Sequence, residues 1–258
     1  MKENINLITN RVKFDNMQEQ KSLGIAASKE NKEFFSIISH NIKNPFATLL
    51  GFSDLLLEDY DELNDEERKF YLDEILKSAN FTNKYLERFF EWIYYKTGKA
   101  KIVLEEINLA DLINNSILLI NKKVAANNII FNQNSTLLIK GDSDSLTKVL
   151  FYVLENAVIY SENHGNILIN YTFDELYATV IIKDEGIGIS EEQMQKLFKI
   201  NEDITLAVRT KSKTKGTGLG LILAKQLLDL NKGNIYIDSE IGKGTEVKIK
   251  MPLFQKFN

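Results

Sequence analysis

The feature that most limits the fold is a run of apolar residues at helical spacing between Phe34 and Leu56, FFSIISHNIKNPFATLLGFSDLL. Phe35, Ile38, Ile42, Phe46, Leu49, Phe52 and Leu56 fall on one stripe of a helix,. A polar turn, DYDELN at 59–64, closes it. Asp65, Glu66 and Glu67 then put negative charge in the first turn of a second helix, where the helix dipole favours it,. That helix carries Leu72, Ile75, Ala79, Leu86, Phe89 and Ile93 on one face and ends near Tyr95. Two long helices joined by a short turn make an antiparallel hairpin. A lone hairpin cannot cover stripes this wide and this rich in aromatic rings. Pairing two hairpins into a four-helix bundle covers them, so a homodimer is expected; the competing arrangement packs the hairpin on the rest of its own chain.

His40 lies two positions from both Ile38 and Ile42, about 200° around the helix at ~3.6 residues per turn. It therefore points largely away from the stripe. Pro45 follows five residues on, where its ring removes a backbone hydrogen bond and crowds the carbonyl of Asn41, so a loosened helix is expected beside the histidine. Taken alone, His40 reads as an ordinary surface histidine.

Beyond residue 104 the texture changes to mixed helices and strands. Helices are expected over Leu109–Ala126, Ser143–Tyr160, Glu191–Phe198 and Leu219–Leu230,. Strands are expected over Asn128–Asn132, Leu137–Lys140, Asn166–Thr172, Tyr177–Lys183, Asn234–Asp238 and Glu246–Met251, the last two as a closing hairpin,. Without strict βαβ alternation, the class is α+β: a helical hairpin, then a two-layer sandwich of one sheet under helices. The division is 1–27 as a linker or signalling helix, 28–98 as the hairpin and 104–258 as the sandwich.

Composition removes several functions. A net charge of −4 gives no reason to expect nucleic-acid binding,. No apolar run approaches the ~18–20 residues that span a bilayer. The chain has no cysteine, which excludes disulfides, thiol catalysis and Cys-ligated zinc and suits the cytosol,. Two histidines cannot build a histidine metal cluster,; His164, in SENHGN, reads as a solvated loop residue.

Of 13 glycines, 7 fall in three clusters after residue 185. Asp184 opens DEGIGI after a strand, where its carboxylate can accept from the exocyclic amine of a purine while Gly186 and Gly188 let backbone approach the ring,. Gly216-Thr217-Gly218-Leu219-Gly220 leads into a helix, exposing free N–H groups to phosphate,. Gly242-Lys243-Gly244-Thr245 sits between two strands and alone reads as a hairpin turn,. Asn156 offers an amide oxygen of the kind Mg²⁺ accepts,. Arg209, Lys211, Lys213 and Lys215 form a basic loop that can close over a triphosphate or simply be solvated,.

The order of these groups, about 30 residues apart behind a histidine-bearing hairpin, resembles the sensor histidine kinases of bacterial two-component systems. The resemblance covers Ser28 to Leu253 and implies a dimerisation and phosphoacceptor hairpin followed by a gyrase/Hsp90-like ATP-binding domain. SHNIKNPF matches the H-box, making His40 the implied phosphoacceptor, and LENAVIYS matches the N-box, with Asn156 the implied Mg²⁺ ligand and Tyr160 beside the nucleotide. DEGIGI, GTGLGL and GKGT match the three glycine boxes, with Asp184 the implied adenine reader, and the F-box is reduced to Leu197-Phe198. Implied with these are ATP and Mg²⁺, a response-regulator receiver domain as partner, and a cytoplasmic location, in one chain or as the cytoplasmic part of a longer sensor.

The chain departs from that pattern at three positions. The acidic residue that usually follows the histidine is Asn41, whose amide is no base,. Tyr152 replaces the first asparagine of the N-box, and Ile159 replaces the usual cation three residues after Asn156. Glu155 is adjacent to the metal position but faces another side of its helix. Asn44, one turn after His40 on the same face, matches the position that orients water for dephosphorylating a partner aspartate,. The leading expectation is an ATP-dependent histidine kinase. The rivals are a regulator phosphatase or nucleotide-gated scaffold with weakened kinase chemistry, and another ATPase of the class that closes a dimer on ATP.

Overall fold

The structure is a computed structural model that describes residues 38–123, 128–133, 136–161, 165–198 and 216–254. Helix α1, 38–58, and helix α2, Asp65–Lys96, form the hairpin. The start of α2 is set by Asn64: its side chain accepts from the N–H of Glu67 at 2.9 Å, and the Glu67 carboxylate accepts from the Asn64 N–H at 3.0 Å. This capping box satisfies two orphan donors at once. Helix α1 runs unbroken through Pro45, so the expected loosening does not become a break. The Phe34–Ile37 part of the stripe lies outside the described residues.

Strand β1, Glu105–Asn108, leads into α3, Leu109–Lys123; β2, Asn128–Phe131, and β3, Leu138–Gly141, follow, then α4, Ser143–Tyr160. The remaining elements are β4, Asn166–Phe173, β5, Tyr177–Asp184, α5, Glu191–Met194, α6, Gly220–Leu230, β6, Asn234–Glu240, and β7, Gly244–Pro252. A five-stranded sheet runs β2-β4-β5-β7-β6, parallel only at β2–β4, and β1 pairs antiparallel with β3. Helices α3, α4 and α6 cover one face of the large sheet, and the core between them is built of Ile107, Leu112, Leu146, Leu150, Ile167, Ile182, Leu223, Leu227 and Ile249 among others. Alternating burial along β4 and β5 turns one face inward, as a half-covered antiparallel sheet requires,. Buried Asn231 ties α6 to α4: its oxygen accepts from the Asp142 N–H at 2.7 Å, and its amide donates to Ser145 Oγ and the Leu227 carbonyl, both at 2.8 Å.

Two expectations need correction. The helix expected over Glu191–Phe198 stops at Met194, because Lys196 and Leu197 bond back only three residues in a tighter turn,. Strand β1 was not expected, since two glutamates and a single buried residue, Ile107, give too short an alternation to read.

The hairpin buries part of its stripe on its own chain. Ile38, Tyr85 and Phe89 pack with Leu219 and Ile222 at the start of α6. Toward the turn the apolar residues stay open, with Leu57 79%, Leu72 55% and Leu76 59% exposed. Among the described residues no helix is long and apolar enough to cross a membrane.

Candidate active site

A cavity opens between α4, the loop after β5, the short α5 and the glycine loop before α6. Asn156 and Tyr160 enter it from α4, Asp184 from the end of β5, Gly188 from the following loop, Gly216, Gly218 and Gly220 from the glycine loop, and Thr245 from β7. These eight expected site residues are brought together. The cavity floor, with Val153, Ala157, Ile182, Ile187 and Val247, is apolar and suits a flat ring,.

Asp184 is the fixed polar group in that floor, 5% exposed. Its Oδ1 accepts from the N–H groups of Gly186 at 2.9 Å and Thr245 at 3.2 Å. Burial pushes the carboxyl above the usual carboxylate range, and the two N–H groups offset only part of that,. Gly186 is glycine for a steric reason: a Cβ there would lie 2.5 Å from the Tyr160 carbonyl oxygen. The loop is pinned by the Ile187 N–H to that carbonyl at 3.2 Å and by the Gly242 N–H to the Ile187 carbonyl at 2.8 Å. Gly242 and Gly244 thus sit in the supporting turn beside the cavity. Tyr160 is half-buried in the wall, and burial raises its hydroxyl above the ordinary phenol value.

The expected residues Thr217 and Leu219 alternate with the cavity glycines and face the other way. Thr217 Oγ1 accepts from Arg88 Nη1 of the hairpin at 2.7 Å, and Leu219 packs on Tyr85 and Phe89. Lys215 and the rest of the basic loop lie outside the described residues.

Arg88, which the sequence reading passed over, is 6% exposed and also pairs with Glu155 of α4, whose other oxygen meets Lys84 at 2.7 Å. Burial would raise the Glu155 carboxyl, but the charges of Arg88 and Lys84 outweigh it and hold it below its ordinary value,. Further along, Glu91 pairs with Lys148 at 2.5 Å and accepts from the Tyr152 hydroxyl. Tyr152 therefore serves the contact between hairpin and sandwich, and Ile159, 6% exposed, is a core residue. The signal in the sequence was a cation on the buried side of α2, three residues from Tyr85 and one from Phe89.

On α1, His40 and Asn44 are exposed, while Asn41 is 3% exposed and donates to the Tyr85 hydroxyl at 3.4 Å. The face of α1 that carries Ile38 and Asn41 is covered, and the histidine stands outside it.

The groups present fit a nucleotide: an acceptor carboxylate in an apolar slot, and a glycine loop at a helix start. Among the described residues no cluster of three acidic or histidine side chains could hold a metal. Mg²⁺, which keeps its waters and rides on phosphates, needs only an oxygen such as that of Asn156.

Comparison with known proteins gives two family models. Residues 141–255 match "Histidine kinase-, DNA gyrase B-, and HSP90-like ATPase", and residues 30–93 match "His Kinase A (phospho-acceptor) domain". The cell-division control histidine kinase PdhS of Brucella abortus (strain S19) is 28% identical over 238 residues, covering 88% of this chain and 23% of the relative. The chain thus spans about a quarter of the length of the curated relatives it matches. Among solved structures, Acinetobacter baumannii histidine kinase AdeS aligns with a TM-score of 0.61 at 19% identity, over 84% of this chain and 98% of that one. Histidine kinase ThkA, in its complex with response regulator protein TrrA, aligns with a TM-score of 0.65 at 20% identity, over 86% of this chain and 61% of that one.

Proposed function

The chain belongs to the sensor histidine kinases, and from that premise we propose that it is an ATP-dependent protein histidine kinase that phosphorylates His40. The observation that carries the reading is the cavity itself, where Asp184, Asn156, Tyr160 and the glycine loop meet in one chain with an exposed histidine on a hairpin helix. In the proposed division, 28–98 carries the phosphoacceptor and 104–258 the nucleotide site.

His40 attacks through Nε2, so the reactive tautomer holds its proton on Nδ1. The Nε2–phosphorus bond forms as the bond from the γ-phosphorus to the β–γ bridging oxygen breaks, and ADP leaves. The imidazolium proton passes to water: His40 is exposed, whereas Asn41 is buried against Tyr85 and has no basic lone pair to offer,. Glycine-loop N–H groups carry the phosphate charge. Asn156 would hold Mg²⁺ together with the nucleotide, and the ion would supply charge neutralisation. Because His40 stands off the covered face, transfer requires the sandwich to shift on the hairpin or to serve the histidine of a second protomer.

The exposed apolar band around Leu57, Leu72 and Leu76 suits a homodimer through a four-helix bundle,. The phosphate then passes to an aspartate of a response-regulator receiver domain, the class of partner with which the similar fold of ThkA has been solved. A cytoplasmic setting goes with such a partner.

One observation favours a second reading, a regulator phosphatase with weak kinase activity: Asn44 is exposed one turn from His40 while Asn41 is sequestered. The two readings separate on incubation with Mg²⁺ and γ-labelled ATP. Acid-labile label in the wild type that is lost in His40→Gln supports the kinase. ATP binding with no label sinks it in favour of the phosphatase, whose activity on a phosphorylated regulator would then depend on Asn44.

A further inference from the structure

Arg88 touches the back of two walls of the cavity. Gly216 and Gly218 line it, while Thr217 between them turns its hydroxyl outward onto Arg88 Nη1 at 2.7 Å. On α4, Asn156 faces the cavity while Glu155 faces Arg88 Nη2. The guanidinium also lies over the Tyr152 ring, 5.0 Å from its centroid. It is 6% exposed, so water does little to screen it,. Tyr160, in the cavity wall, is within electrostatic reach of both Arg88 and Glu155. Behind the glycine loop the balance is two cations, Arg88 and Lys84, against one carboxylate, Glu155.

We infer that Arg88 is a positioning residue of the nucleotide site: through Thr217 it holds the glycine loop in place for a nucleotide's phosphates, and its charge, opposed by Glu155, favours their binding. A residue of the phosphoacceptor helix thereby belongs to the ATP site of the sandwich. The inference rests on the nucleotide-binding reading above. It carries a sign that packing alone would not give. Removing Arg88 takes away both the brace and a positive charge, so phosphates bind less well. Replacing Glu155 by glutamine keeps an oxygen for Arg88 and removes the opposing negative charge, so phosphates bind better.

The test is calorimetric titration of the full chain with Mg²⁺-ATP and separately with adenosine, on wild type, Arg88→Met, Arg88→Lys and Glu155→Gln. Melting temperatures accompany each variant. The expected result is an ATP Kd raised about tenfold in Arg88→Met, partly restored in Arg88→Lys, and lowered about fivefold in Glu155→Gln. Adenosine, which has no phosphate, should bind all four alike. Arg88→Met and Glu155→Gln weakening ATP together would reduce the contact to packing and overturn the inference. So would unchanged ATP affinity in Arg88→Met, or adenosine affinity falling in step with ATP. If Arg88→Met does not fold, Arg88→Lys against Glu155→Gln gives the same opposition of signs. A wild type that binds no ATP would instead overturn the nucleotide reading beneath it, a result distinct from all of these.

Discussion

Asp184→Asn tests whether the cavity floor reads a purine, and by what atom. Oδ1 is committed to the N–H groups of Gly186 and Thr245 at 2.9 and 3.2 Å, which leaves Oδ2 for the cavity. In the asparagine variant the oxygen must stay on the two backbone donors, so the NH₂ group turns to the ligand. The 6-amino group of adenine then faces a donor in place of an acceptor. Hydrogen bonds to a charged group contribute about 1.5–3 kcal/mol, so ATP affinity should fall roughly 10- to 150-fold at about 1.4 kcal/mol per factor of ten. ITP, which carries a 6-oxo group, gains the acceptor that the new amide needs. The preference for ATP over ITP should therefore shrink or invert. Calorimetric titration of both nucleotides into wild type and variant measures this, with a melting curve to show that the floor has not collapsed. Unchanged ATP affinity, or ATP and ITP weakening by the same factor, would refute the assignment of Asp184 as the base-reading group.

The same residue gives a pH signature. Because burial raises the Asp184 carboxyl, wild-type ATP affinity should decline on acidification at a higher pH than an ordinary carboxylate would impose, and the Asp184→Asn profile should lack that limb. Glu155 has the opposite sign: its folded-state value is depressed by Arg88 and Lys84, so its contribution to stability is present above the ordinary glutamate value and lost as pH falls through the depressed one. Glu155→Gln should flatten that acid limb in urea melts taken as a function of pH. Gly244→Ala forces a side chain onto a φ of +92° with its Cβ 2.0 Å from the Asp184 carbonyl oxygen; it should cost more than about 2 kcal/mol. Gly242→Ala, at φ +77° with nothing within 4 Å, should cost about 1–2 kcal/mol; chemical denaturation of the pair tests the difference. Leu76→Glu, at a 59% exposed position of α2, should shift the chain from dimer to monomer in sedimentation velocity while leaving the melting of the sandwich in place.

Much of the fold was legible because its signals are local. The apolar stripes of α1 and α2, the in-phase residues of α4 and the alternation in β4 announce helices and strands to within a residue or two. Of the eight cavity residues, the four glycines, with Asp184 and Thr245 beside such glycines, were legible through glycine spacing,. Asn156 was legible through an amide oxygen that suits Mg²⁺, and Tyr160 through the family resemblance alone. What stayed hidden depends on neighbours distant in sequence. Strand β1 has one inward residue and exists because β3 pairs with it. The short α5 ends where Leu197 turns toward the cavity. Tyr152, read as a departure from a pattern, is a partner for Glu91, 61 residues earlier. Arg88 was passed over because its partners, Glu155 and Thr217, lie 67 and 129 residues away and meet it only in the fold.

The charge pairs between α2 and α4 bear on how such proteins can be recombined. Helix α4 turns Val153, Asn156, Ala157 and Tyr160 to the cavity and Lys148, Tyr152 and Glu155 to the hairpin. Grafting this sandwich onto a foreign hairpin would strand a buried carboxylate and a buried phenol, while the reverse graft would strand Arg88. The two halves are portable only as a matched set, in which Lys84, Arg88 and Glu91 travel with Lys148, Tyr152 and Glu155. A library of chimeras should show its viable crossovers upstream of Lys84 or in exchanges that carry both sets together.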